Sequence, residues 1–138
     1  MNELVYRNLS EDAKRQICAW KYGGEYDLYN LPAYEEMQVR QIGFMNPKSE
    51  KNYYGFWDES ILVGFVNILE EKEEVFIGIG VNPDLCNKHY GQRMLLIAYE
   101  ISKKLYPNKP LYLEVRTWNT RAVKCYEKAG FRIDGQAY

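Results

Sequence analysis

Leu113-Glu114-Val115-Arg116-Thr117-Trp118-Asn119-Thr120-Arg121-Ala122-Val123-Lys124-Cys125-Tyr126-Glu127-Lys128-Ala129-Gly130-Phe131 is the stretch that decides the fold. Leu111 to Arg116 reads as a strand with apolar residues at alternate positions. Asn119 is a helix-capping residue type, and Ala122, Tyr126 and Ala129 recur at helical spacing as one inner face. Gly130 supplies a left-handed exit. Just upstream, Met94, Ala98, Ile101 and Leu105 predict a long helix from Gly91 that Pro107 ends. A strand, a helix, a second strand and a second helix in this order call for a parallel strand pair joined by a crossover.

The first strand of that pair is Val75 to Val81, Val-Phe-Ile-Gly-Ile-Gly-Val, apolar on both sides as a central strand should be. Gly78 and Gly80 weaken it, which points to a bulge or to close approach by another backbone or a ligand. Asn52 to Trp57 and Ile61 to Leu69 flank Asp58-Glu59-Ser60 as a hairpin, and the acidic segment Glu70 to Glu74 turns the chain again. Leu4 to Arg7 is a short strand. Ser10, Glu11 and Asp12 open a helix that carries Ala13, Ile17 and Trp20 on one face and stops at Gly23-Gly24. Asn30 ahead of Pro32 signals the cap of a second helix through about Val39. A final strand is expected from Phe131 to Ala137. The class is α/β with a mixed sheet, antiparallel at the start and parallel between the Val75 and Leu111 strands.

The chain has 138 residues, enough for one core, and it shows no repeat, linker or low-complexity tract, so residues 1–138 are read as a single domain. Eighteen Lys and Arg against nineteen Asp and Glu leave a formal net charge of -1, which offers no footprint for nucleic acid or an anionic membrane surface. No apolar run approaches the ~18 residues of a membrane span. Three cysteines without a CxxC pair and the single His89 argue against structural disulfides and zinc, and with a polar N-terminus they point to a reduced, cytoplasmic protein. The unusual number is thirteen tyrosines, and ten of the twenty-one aromatics lie between Trp20 and Trp57.

The segment from Val81 to Gly91 joins a buried strand to a helix N-terminus, whose unpaired amides suit phosphate groups, with Lys88 and Arg93 nearby; it is equally an ordinary strand-to-helix turn. The Leu113 to Phe131 segment resembles the strand and helix that carry the second half of the cofactor site in the GNAT superfamily of acyl-CoA-dependent N-acyltransferases. The matching features are the apolar strand ending in Val115, then Asn119, Ala122, Tyr126 and the Gly130-Phe131 pair. Val81, Pro83 and Gly91 stand in register with that family's cofactor loop. Cys86 stands where Arg or Gln is usual, and His89 where the middle Gly is usual.

The resemblance implies the GNAT fold: a central mixed, mostly antiparallel sheet with a splayed parallel strand pair, flanked by helices. Only seven residues follow Phe131, so the C-terminal strand is expected to be short or missing, or its edge covered by a second copy in a homodimer. It implies acetyl-CoA as acyl donor without a metal. Backbone groups around Ile79, Gly80 and Val81 would pair with the pantetheine amides, and the pyrophosphate would rest on amides of Cys86, Asn87, Lys88, His89, Tyr90, Gly91 and Gln92. Asn119 would bond the pantetheine arm or the substrate side of the cleft, cap its helix, or do both.

Tyr126 resembles the family's general acid toward the leaving thiolate, and is otherwise a core aromatic. A free tyrosine is a weaker acid than a thiol by about 1.5 units, so its part would be mainly to hydrogen-bond the developing sulfur charge. Glu114, twelve residues before Tyr126, is similar to the base of ribosomal-protein N-terminal acetyltransferases; a salt bridge to Arg116 or Arg93 is the other reading. Glu73 and Glu74 are fallback bases through water, or a solvated turn. Tyr22, Tyr26 and Tyr29, interleaved with Glu25 and Asp27, would bind the acceptor amine by aromatic faces and carboxylates. The function implied is acetyl transfer to a primary amine of a small molecule or peptide by direct attack. The alternative is a catalytically weak acyl-CoA-binding module, motivated by Cys86 and His89.

Overall fold

The computed structural model describes residues 3–86, 88–115 and 119–132. Its elements run β1 (Val5–Asn8), α1 (Glu11–Ala19), α2 (Tyr34–Arg40), β2 (Tyr53–Asp58), β3 (Ile61–Glu70), β4 (Val75–Val81), α3 (Tyr90–Leu105), β5 (Leu111–Tyr112) and α4 (Thr120–Lys128). The five strands lie in sequence order; β1 to β4 are antiparallel, and β4 and β5 are parallel. This is the mixed sheet expected, with the crossover helix α3 between the parallel strands.

Strand register assigns the two faces. Val66, Ile68, Val75 and Ile77 share one core with Met94, Leu95, Ala98 and Ile101 of α3. Phe65 packs instead against a second core built from Ile17, Cys18, Met37, Phe44 and Leu62 on the α1/α2 side. A bulge puts Val63 opposite the Phe56–Trp57 step, which turns Leu62 toward the second core and Val63 toward the first. The bulge therefore belongs to the β2–β3 pair. The β3–β4 pairing is regular through Gly78 and Gly80, contrary to the bulge considered there.

Those two glycines have a local explanation. A Cβ on Gly80 would lie 2.4 Å from the Phe65 ring, so the glycine lets an aromatic ring lie across β4. Gly78 is looser, with the Phe76 ring at 3.4 Å and the Asn67 Cβ at 3.5 Å.

Three local expectations change. Asn30 does not cap α2, because its Oδ1 accepts the Tyr22 N–H at 2.6 Å, an instance of a short amide side chain bonding nearby backbone; α2 begins after Ala33 without a side-chain cap. Between α1 and α2 the chain forms a 3₁₀ segment, Gly24–Tyr29, hereafter the strap. β5 pairs only at Leu111 and Tyr112, shorter than the strand read to Arg116. Phe131 and Arg132 are not in a strand, and the rest of the Phe131 to Ala137 expectation lies outside the described residues, as does Arg116. Ser10 and Asn119 do cap their helices, accepting the N–H groups of Ala13 and Ala122, each at 3.1 Å, and Gly130 exits at φ +102°.

One ion-pair cluster secures α1. Lys14, 2% exposed, donates to Glu11 at 3.0 Å and to Glu50, and the Tyr34 hydroxyl donates to Glu11 at 2.5 Å. The Tyr34 bond foremost, then Lys14, holds the Glu11 carboxyl below its ordinary 4.5. A lowered carboxyl pKa contributes stability that is present above the ordinary value and lost as pH falls through the folded value. The midpoint of thermal unfolding should thus fall on acidification below about pH 4.5, and Glu11→Gln should flatten that acid limb in melts recorded from pH 6 to 3. An unchanged limb in the variant would assign it to other carboxylates.

Candidate active site

β4 and β5 stay together for two residue pairs, Val75 with Leu111 and Phe76 with Tyr112, and then part. Beyond Phe76 the β4 edge has no strand partner among the described residues, and Leu113 to Val115 lie outside the ladder. A parted strand edge presents backbone donors and acceptors as a sheet edge does. The gap opens into a cleft of about 770 Å³ walled by β4, α3, α4, the strap and Glu114-Val115.

Most expected site residues converge there. Ile79, Gly80 and Val81 form one lip, Cys86, His89, Tyr90, Gly91 and Gln92 one end, and Asn119 and Tyr126 the α4 wall. Tyr22, Tyr26 and Tyr29 also line it. Lys88 is exposed and does not, and Asn87 lies outside the described residues. Glu114 is an exposed residue that lines the cleft, whereas Glu73 and Glu74 are exposed on the β3–β4 turn and do not.

The α3 end suits an anion. α3 is sixteen residues long, has no acid in its first turn, and its N-cap residue His89 makes no side-chain bond to the exposed amides. His89 adopts φ +67°, a left-handed conformation that glycine enters without strain, which explains why a glycine is usual at this place. Gly91 permits close packing of α3 on α4, since a Cβ there would sit 3.1 Å from the Cys125 Sγ. Tyr90 donates its hydroxyl to Asp58 at 2.6 Å, tying the helix start to the β2–β3 turn.

Tyr22, just before the strap, and Tyr29, at its end, touch opposite lips. The Tyr22 hydroxyl donates to the Val81 carbonyl at 2.6 Å, so this carbonyl, expected to face pantetheine, is already engaged. The Asn119 Nδ2 donates to the Tyr29 hydroxyl at 3.1 Å while its Oδ1 caps α4, so both ends of that amide are used. The Tyr26 ring carries the Arg121 guanidinium at 4.1 Å. Glu25 and Asp27 are exposed and do not line the cleft, so the carboxylates expected beside the tyrosines stand outside it.

Tyr126 is pushed well above the ordinary tyrosine range, by burial foremost, with Cys125 and Tyr29 adding. A raised pKa keeps the Tyr126 phenol neutral at ordinary pH. Burial likewise raises the Cys86 and Cys125 thiols, which disfavours either as a nucleophile.

Arg121 escaped the sequence reading. A cation in the first turn of a helix opposes the helix dipole, and that mismatch is the signal that marks it for another task. With Lys124 and Lys128 it makes the α4 wall cationic, which fits a donor bearing phosphates. Phe65 and Phe76 were also missed as cleft walls; the pairing of Phe65 with Gly80 across the strands was the available clue.

The acetyltransferase (GNAT) family model matches residues 8–131. The chain belongs to the GNAT family. It is accordingly an acyltransferase, of a family that generally takes acetyl-CoA as donor. Solved structures with this fold include an acetyltransferase (GNAT family) from Bacillus anthracis, with TM-score 0.79 and 18% identity over 97% of this chain and 82% of that one. A GNAT acetyltransferase from Streptococcus pneumoniae matches with TM-score 0.68 and 23% identity over 96% and 87%. A chimera of the Vibrio cholerae spermidine N-acetyltransferase SpeG with hSSAT gives TM-score 0.76 and 20% identity over 97% and 83%. A search of curated proteins finds no significant match. Among the described residues of this GNAT chain, no group of three or more His, Cys, Asp or Glu could hold a metal ion, and no helix is long and apolar enough to cross a membrane.

Proposed function

We propose that this GNAT enzyme transfers acetyl from acetyl-CoA to a primary amine of a small molecule or peptide by direct attack in a ternary complex. The reading is carried by the parted β4–β5 pair, whose gap has Tyr126 on one wall and Glu114 on another. The donor would supply an acetyl thioester. The chain's own part is to pair Ile79 to Val81 with the pantetheine arm, to meet the phosphates with the α3 amides and the α4 cations, and to donate from the Tyr126 hydroxyl to the sulfur. The spermidine N-acetyltransferase among the similar structures acts, by its name, on an amine, which supports an amine acceptor.

Glu114 is the base of this scheme, taking the ammonium proton directly or through water. A lysine-like amine costs about 4.6 kcal/mol to deprotonate at pH 7, an α-amine only about 1. Glu114→Gln should therefore lower kcat/KM for a lysine-like acceptor by about 10²-fold at pH 7 and less for an α-amine. Free-thiol release over a pH series measures this. Equal losses on both amine types would remove the base assignment.

A second reading, an acyl-CoA-binding module with little catalysis, is favoured by the His89 side chain standing where a glycine is usual. Acetyl-CoA should raise the unfolding midpoint under both readings. Thiol release above the no-enzyme rate distinguishes them, and no stabilisation at millimolar acetyl-CoA would remove both.

A further inference from the structure

On the α1/α2 face of the sheet the cleft is walled by Ile17, Trp20, Leu31, Phe65 and Phe76, with Gly78 as its floor. Register puts Phe65, Phe76 and Gly78 on this face, opposite the one packed on α3. Trp20 leaves the end of α1 in extended conformation and packs its ring 6.3 Å from that of Phe65. Phe76 lies against Tyr112, with ring centroids 5.4 Å apart. Two hydroxyls on this side are already engaged, since that of Tyr22 bonds Val81 and that of Tyr29 accepts from Asn119; the Asn67 Oδ1, on the same face by register, is buried without a partner and stands outside the cleft lining.

The charges are as uneven as the walls. Among the described residues that line the cleft, Glu114 is the one carboxylate, against the three cations Arg121, Lys124 and Lys128. The Tyr26 ring, which could otherwise hold an ammonium, carries Arg121. Glu71 is committed to the Tyr112 hydroxyl at 2.8 Å and, like Glu74, stands outside the lining. One ammonium can be placed beside Glu114. A second, several carbons away, would lie on an apolar wall or approach Arg121, and either position is penalised by desolvation or repulsion.

We infer that the acceptor is a monoamine with a flat, apolar ring on a short chain, its ammonium at Glu114 and its ring between Phe65, Phe76 and Trp20, and that polyamines are poor substrates. This rests on the amine-acetylating reading above and narrows it. Ring burial in such a slot has the same origin as burial of a phenylalanine side chain, which favours the ring-bearing amine over a short alkyl amine by about tenfold or more.

The test is thiol release from acetyl-CoA with phenethylamine, tryptamine, butylamine, spermidine and spermine as acceptors, products being confirmed by mass. The expected order in kcat/KM has both arylalkylamines at least about tenfold above butylamine and above spermidine. Phe76→Ala should shrink the ratio of phenethylamine to butylamine, a quantity that a general loss of folded enzyme does not move. Spermidine or spermine equal to or better than the arylalkylamines would overturn the inference and leave the amine reading intact. Silence with every amine would remove the amine reading, and the inference with it.

Discussion

Tyr126→Phe should lower kcat by about 10²- to 10³-fold while leaving the affinity for acetyl-CoA within about twofold. The hydroxyl is the one group lost, and the ring continues to pack with Cys125, Ala129 and Phe131 against the α3 core. Negative charge develops on sulfur only as the thioester breaks, so a donor aimed at it acts on the transition state and hardly on binding. Burial raises the Tyr126 pKa. The neutral phenol is therefore retained past the ordinary tyrosine value of about 10, and no alkaline loss of kcat below about pH 9 should belong to it. Single-turnover rates measured beside equilibrium binding separate the two quantities. An unchanged chemical step would leave Tyr126 as a core aromatic.

The second large effect is on stability. Gly64→Ala should destabilise the fold by about 2 to 3 kcal/mol, lowering the unfolding midpoint by roughly 10 °C. A Cβ at Gly64 would stand 2.5 Å from the Met94 Cε and 2.6 Å from the Gly80 carbonyl oxygen. Met94 can turn aside, but the carbonyl belongs to the β3–β4 ladder and cannot yield without loosening it. Gly78→Ala, with its nearest neighbours at 3.4 and 3.5 Å, is the internal comparison and should shift the midpoint by little. Similar melts for the two variants would show that β4 moves freely relative to β3, against the rigid cleft lip required here.

Periodicity and caps were legible because they are local. The α1 and α4 caps, the α3 stripe, the strand Val75–Val81 and the Gly130 exit each follow from residues within one turn or one strand. Asn30 failed for the same local reason: two backbone partners compete for a short amide, and residue type alone does not choose between them. Gly78 and Gly80 were recognised as exceptional, yet their cause lay on the neighbouring strand and on the rings of Phe65 and Phe76. Tyr22, Tyr26 and Tyr29 do line the cleft, while the bonds they make there were not readable. Tyr22 is spent on the Val81 carbonyl and Tyr26 on Arg121.

From sequence alone came the order of elements, the parallel pair and the family, since each depends on spacing along the chain. Tertiary structure alone decided where β4 and β5 part, that Tyr22 and Tyr29 reach opposite lips, and that Glu114 is the one carboxylate among the described residues lining the cleft. The physical reason is that contacts such as Tyr22 with Val81 and Tyr29 with Asn119 join residues far apart in the chain. Their formation depends on how the two cores seat the sheet between α1/α2 and α3, which no local pattern encodes.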